Sequence, residues 1–153
     1  MTAICVPPLT TTTEIETLRR VWLFSCCSDT ELREVRALCD RLSVPAGTTL
    51  ARAGDDTVCC VAIVRGRATV TRSGRRIGHH ADGDIVGIGP LIGTRTSPVT
   101  VVADTDLEIL AIDPAELIDV VAHDRVWSVR HRLEVLRAEH EREVENVVNA
   151  RYL

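Results

Sequence analysis

The sequence predicts an α+β chain that is mainly β, a small antiparallel sandwich or barrel with helices on either side. Three observations predict this. Between about residues 43 and 113, short β-branched runs alternate with glycine and aspartate turns at roughly 8–12-residue spacing. Ahead of them lie two segments with helix caps and helical apolar spacing. Behind them comes a long polar stretch with a three- and four-residue apolar rhythm.

The elements follow in order. Residues 1–13, rich in threonine and proline, read as a flexible lead-in, and residues 14–153 as one domain. "TEIETLRRVWLF" is a short helix with Thr13 as N-cap and Glu16 closing a capping box. "SDTELREVRALCDRL" is a second, capped by Ser28 or Asp29, with Leu32, Val35, Leu38, Cys39 and Leu42 on one face. From residue 43 the period changes. About eight strands follow, and "RGRATVTRSGRRIGHH" carries a hairpin turn at Ser73-Gly74. Asp113 caps a helix with Pro114 at its first position, and helices occupy about 114–150.

Bulk properties exclude several classes. With 153 residues, 45% hydrophobic, the chain is long enough to bury a core. A net charge of -4 gives no general attraction to nucleic acid or anionic membrane. All 18 basic residues are arginine, which leaves no lysine for Schiff-base chemistry. No apolar run approaches the roughly 20 residues of a membrane span, and "MTAICVPPLTTTTEIE" lacks the layout of a secretory signal. The expected location is the cytoplasm, where the six cysteines stay reduced.

Taken together, "LRRVWLFSCCSDTELREVRALC", "PAGTTLARAGDDTVCCVAIVRGRATV" and "HADGDIVG" resemble the cyclic nucleotide-binding domain family, the β-roll of catabolite-activator-type regulators, kinase regulatory subunits and gated channels. Gly47, Gly54, Asp55 and Gly66 occupy the family's glycine and Gly-Asp places. The resemblance covers roughly residues 14–140 and implies a jelly-roll-like double-stranded β-roll, flanked by N-terminal helices and closed by a long C-terminal helix.

It also implies a phosphate-binding cassette, near Phe-Gly-Glu-x-Ala-Leu-Leu and then Arg-x-Ala-Thr-Val. There a glycine turn and a short helix present amides to a cyclic phosphate, an arginine neutralises it, and a glutamate accepts from the ribose hydroxyl. Laid on this chain without a gap, the match is Val86 to Ile92 and then Ser97 to Val101. Gly87, Leu91, Thr100 and Val101 agree. Ile88 stands where the glutamate belongs and Ser97 where the arginine belongs, and Pro90 has no N–H to offer. The expectation is therefore a cradle that has lost its charges and binds no cAMP or cGMP in the ordinary way. Gly87, Ile88, Gly89, Arg95, Ser97 and Thr100 are the candidate ligand residues. Arg95, two residues early, is the alternative phosphate anchor of a nucleotide sensor.

Other groupings carry less. Cys26-Cys27 and Cys59-Cys60 are vicinal pairs and the candidates for thiol redox sensing, but no C-x2-C spacing supports a metal or cluster, and none is expected. His79-His80 with Asp82 and Asp84 read as a solvated hairpin end, and His123, His131 and His140 as a solvated helix face. No nucleophile–base–orienter grouping appears, so no enzyme and no cofactor are expected. On the last helix, Leu133, Leu136, His140, Val144 and Val147 form a stripe for a protein partner or a second copy, with contact to its own domain as the competing reading. No helix-turn-helix follows before Leu153, so no direct contact with nucleic acid is expected. The expectation is a non-enzymatic regulatory or adaptor module.

Overall fold

The computed structural model describes residues 11–123 and 125–145. Helix α1 (Thr11–Arg20) and α2 (Asp29–Ala37), joined through a 3-10 helix at Trp22–Phe24, precede eight strands. These are β1 (Cys39–Val44), β2 (Thr49–Ala51), β3 (Cys60–Arg65), β4 (Ala68–Arg72), β5 (Arg75–His80), β6 (Ile85–Val86), β7 (Thr100–Ala103) and β8 (Leu107–Ile112). Helices α3 (Pro114–Ala122) and α4 (Trp127–Glu145) close the chain.

The strands form two antiparallel four-stranded sheets, ordered β1-β8-β3-β6 and β2-β7-β4-β5. Pairing is nested: β1 with β8, β2 with β7, β3 with β6, β4 with β5. A long hairpin rolled over on itself gives this pattern, which is the expected β-roll. Its consequence for function is local. The β6–β7 connection, residues 87–99, leaves one sheet and enters the other, so it crosses an open end of the roll.

Burial explains why β3 has no alternating polar face. Val61 and Ile63 pack between the sheets with Val44, Val70, Val101 and Ile109. Cys60, Ala62 and Val64 face the other way, into a layer with Phe24, Leu32, Leu117, Val129 and Leu133. With both faces covered, every residue from Cys60 to Val64 is buried. Each large side chain so buried contributes about 1.5–3 kcal/mol.

Caps and turns follow the local chemistry. Ser28 accepts from the Glu31 amide while Glu31 accepts from the Ser28 amide, a complete capping box. Asp113 accepts from the Ala115 amide at 2.8 Å with Pro114 in the first turn. Ser73 and Gly74 both have positive φ, 51° and 77°, the conformation a two-residue hairpin turn needs.

The structure corrects three boundaries. Helix α1 already runs from Thr11, so Thr13 sits inside it and is no N-cap, and Glu16 pairs with Arg19 at 3.6 Å instead of closing a box. Helix α2 stops at Ala37, and Cys39 and Leu42 belong to β1, paired with Ile112 and Ile109. Their helical spacing to Leu32 and Val35 is coincidental: Cys39 packs into the helical layer and Leu42 against the inter-sheet core. Sheet structure therefore spans Cys39–Ile112 rather than 43–113. Residues 1–10 of the lead-in lie outside the described residues.

Candidate functional site

The connection after β6 begins at Gly87, whose φ is +84°. A β-carbon there would lie 2.5 Å from the Cys59 carbonyl oxygen, so only glycine fits without a shift. The Cys60 thiol donates to the Gly87 carbonyl at 3.0 Å and holds the turn from below. Next comes a three-residue 3-10 helix, Gly89–Leu91, with Pro90 inside it. It is tied off by Ile92 and Thr94 amides donating to the Gly89 carbonyl, at 3.0 and 2.9 Å. Leu91 is fully buried in the helical layer and anchors the loop.

The return half of the connection runs against the segment before β3. The Thr57 amide donates to Arg95 O at 2.9 Å, the Ser97 amide to Asp55 O at 2.9 Å, and the Gly54 amide to Ser97 O at 2.8 Å. Between these halves and α4 lies a cavity of about 330 Å³. Val86, Ile88, Ile92, Val99 and Val101 give it an apolar lining. Thr57, Thr94 and Thr96 supply hydroxyls, while Leu136, Glu139 and His140 approach from α4.

Four of the six predicted ligand residues line this cavity: Gly87, Ile88, Gly89 and Ser97. Arg95 does not. Its side chain is 87% exposed, with Nε 3.6 Å from Asp56, a solvent-screened surface pair. Thr100 also points elsewhere, accepting from the Ala53 amide at 3.1 Å. Ser97 is buried, but its hydroxyl donates to the Val99 carbonyl at 2.6 Å and is engaged by its own loop. No arginine stands among the lining residues, and the acid there is Glu139.

On α4 the predicted stripe turns inward. Leu133 is 2% exposed and part of the helical-layer core, Leu136 packs against that core, and His140 lines the cavity. The side chain of Val144, and Val147 altogether, lie outside the described residues. Polar contacts fix the start of the helix. The Ser128 amide and hydroxyl both donate to Glu31, each at 2.9 Å, and Arg125 pairs with Glu34 at 2.6 Å. Burial pushes the Glu31 carboxyl up, but hydrogen bonds from Ser128 and Ser28 together outweigh it and hold its pKa below the usual value. Nearer the cavity, Arg137 Nε donates to Leu91 O at 3.0 Å, and Thr94 Oγ1 lies 3.4 Å from His140 Nε2.

The cysteines separate by exposure. Cys26 is exposed and accepts from Arg132 Nη2 at 2.7 Å. Cys27 and Cys60 are buried, and burial pushes each thiol up to about 12. Half-buried Cys59 is raised by the same cause. His80 Nδ1 lies 3.7 Å from Asp84, while Asp82 accepts from the Gly66 amide and Asp84 from the Ala81 amide, so both acids brace turns. Among the described residues no group of three or more His, Cys, Asp or Glu is placed to hold a metal ion. Among them, too, no helix is long and apolar enough to cross a membrane.

The sequence leaves His140 open between a solvated or partner-facing surface and contact with its own domain, and it gives Glu139 no role. The stripe Leu133–Leu136–His140 was the available signal, since a side chain on a buried helical stripe faces the chain's own core unless a partner covers it.

Comparison with known proteins agrees with this geometry. The cyclic nucleotide-binding domain profile matches residues 41–124, more than half of the chain, and the chain belongs to that family. No curated protein matches the sequence. Among solved structures, the cyclic nucleotide-binding-like protein from Brucella abortus is 28% identical with a TM-score of 0.62, the match covering 71% of this chain and 97% of that one. The N-terminal domain of a transcriptional regulator from Streptomyces coelicolor is 22% identical with a TM-score of 0.68, covering 80% and 90%. The regulatory domain of Toxoplasma gondii PKA, solved with cAMP, is 20% identical with a TM-score of 0.67, and the match covers 71% of this chain and only 43% of that one.

Proposed function

We propose that the chain is a non-enzymatic, cytoplasmic regulatory module whose pocket does not hold a cyclic phosphate in the family's usual way, and which acts through a protein partner. One observation carries this reading: the two polar anchor positions of the cassette hold Ile88 and Ser97, and the nearby Arg95 is turned to solvent beside Asp56. A hydrogen bond to a charged group is worth about 1.5–3 kcal/mol. Losing two lowers affinity by about 10²–10⁴-fold. Backbone bonds of Arg95 and Ser97 to residues 54–57 hold this segment in place, with the Arg95 side chain on its outer surface. The acid among the cavity-lining residues is Glu139, and no arginine stands among them.

The partner, or a second copy, is assigned to α4. Support comes from Trp127 and Val135, 65% and 46% exposed, which share a face with His131, itself stacked on Trp127. The reading is tested by equilibrium titration of the protein with cAMP and cGMP, and by capture of partners with wild-type protein and a Trp127→Ala/Val135→Asp variant. Absence of nucleotide binding with partner capture lost in the variant supports it. Micromolar nucleotide binding, or capture indifferent to the variant, argues against it.

A further inference from the structure

We infer that β5, the outer strand of the second sheet, is a docking edge for an extended acidic peptide of a protein partner, which adds to the sheet as a further strand. Among the described residues β5 pairs with β4 alone and ends the order β2-β7-β4-β5. The far edge of such a strand directs backbone N–H and C=O groups outward, and these are the groups an added strand binds. Arg75, Arg76, Ile77 and His79 on it are all exposed. Register places Arg76 and His79 opposite Thr71 and Thr69, on the face away from Val70 and the inter-sheet core. Arg75 stands opposite Arg72 at the hairpin end.

Charge selects the occupant. Residues 65–80 carry five arginines and no acid, in a chain whose net charge is -4. Arg19, Arg36, Arg95 and Arg125 each have an acid beside them, and Arg65 has Glu108. Among the described residues no acid pairs with Arg67, Arg75 or Arg76, so this hairpin offers cations to a partner. A second copy joined edge to edge would set one arginine-rich strand against another, which like-charge repulsion opposes. Nucleic acid would gain no stacking, because residues 65–80 contain no Phe, Trp or Tyr. A bilayer would gain a single large apolar side chain, Ile77, which is 52% exposed. An acidic strand uses both the outward backbone groups and the guanidinium groups.

The test is fluorescence anisotropy of a labelled, capped peptide, Glu-Glu-Val-Thr-Val-Thr-Glu-Glu, titrated with the full chain. Saturable binding is expected with a dissociation constant below about 1 mM, weakening as salt is raised. Arg75→Glu/Arg76→Glu should weaken it about tenfold or more, while Arg33→Glu, exposed on α2, should bind as wild type does. The same peptide N-methylated at its central residues keeps its charge but loses backbone donors, and should bind about tenfold or more weakly. Bound peptide should also slow hydrogen exchange in residues 75–80. No binding by about 1 mM, equal binding of the N-methylated peptide, or wild-type affinity in a folded Arg75→Glu/Arg76→Glu variant would each overturn the assignment. So would tighter binding of single-stranded oligothymidylate or phosphatidylserine vesicles that the same variant abolishes, which would give the edge to nucleic acid or a bilayer. Each of these failures leaves the proposed function standing, since its pocket and α4 surface use neither Arg75 nor Arg76.

Discussion

Arg137 Nε donates to the carbonyl oxygen of Leu91 at 3.0 Å, tying the C-terminal helix to the 3-10 helix of the β6–β7 connection. The contact joins the element that covers the cavity to the element that forms its wall. Arg137→Ala removes it. Hydrogen exchange in residues 133–145 should speed up while exchange in β3 and β8 stays unchanged, because the sheets do not depend on this bond. The expected stability loss is about 0.5–1.5 kcal/mol.

Gly87→Ala tests the turn that opens the cassette. At φ +84° an alanine is strained, and its β-carbon would meet the Cys59 carbonyl at 2.5 Å. The substitution should cost more than about 1 kcal/mol and lower the melting temperature by at least about 2–4 °C. An unchanged melting temperature would mean that the turn is not held against Cys59.

Glu31 makes the anchoring of α4 pH-dependent. Its folded pKa lies below its unfolded value because Ser128 and Ser28 bond its charged form. The resulting stabilisation is therefore fully present above the ordinary glutamate pKa of about 4.3 and is lost as pH falls through the lowered folded value. In urea unfolding at about pH 7 and about pH 3, Glu31→Gln should be less stable than wild type at the higher pH. The difference should shrink at the lower pH.

Thiol chemistry should follow burial. Mapped by mass spectrometry after brief iodoacetamide treatment, Cys26 should be alkylated first among the described cysteines. Cys27, Cys39 and Cys60, pushed up to about 12 by burial, should react only on unfolding. Rapid native labelling of Cys60 would show that the roll opens beneath the cassette.

What could be read from the sequence depended on the range of the interaction. The Ser73-Gly74 turn, the Ser28 and Asp113 caps and the apolar run of β3 were legible because local chemistry decides them. The α2–β1 boundary was not, since Cys39 and Leu42 fit a helical face and a strand equally well until Ile112 and Ile109 pair with them. The Glu31–Ser128 contact joins residues 97 apart and leaves no local trace. That Ile88 and Ser97 stand at the places the family resemblance gives to its two anchors could be read by position. The direction of Arg95 could not, because it is set by pairing with residues 54–57. The side His140 faces was left open for a similar reason: a polar residue on an apolar stripe fits solvent, a partner or its own domain until the cavity opposite it is seen.

The most direct measurement is titration of cAMP into wild-type protein and into an Ile88→Glu/Ser97→Arg variant that restores both cassette anchors. The account predicts no binding below millimolar concentration in wild type and an affinity gain of about 10²–10⁴-fold in the variant. Micromolar binding by wild type would contradict it, because the pocket would then hold a cyclic phosphate without either anchor.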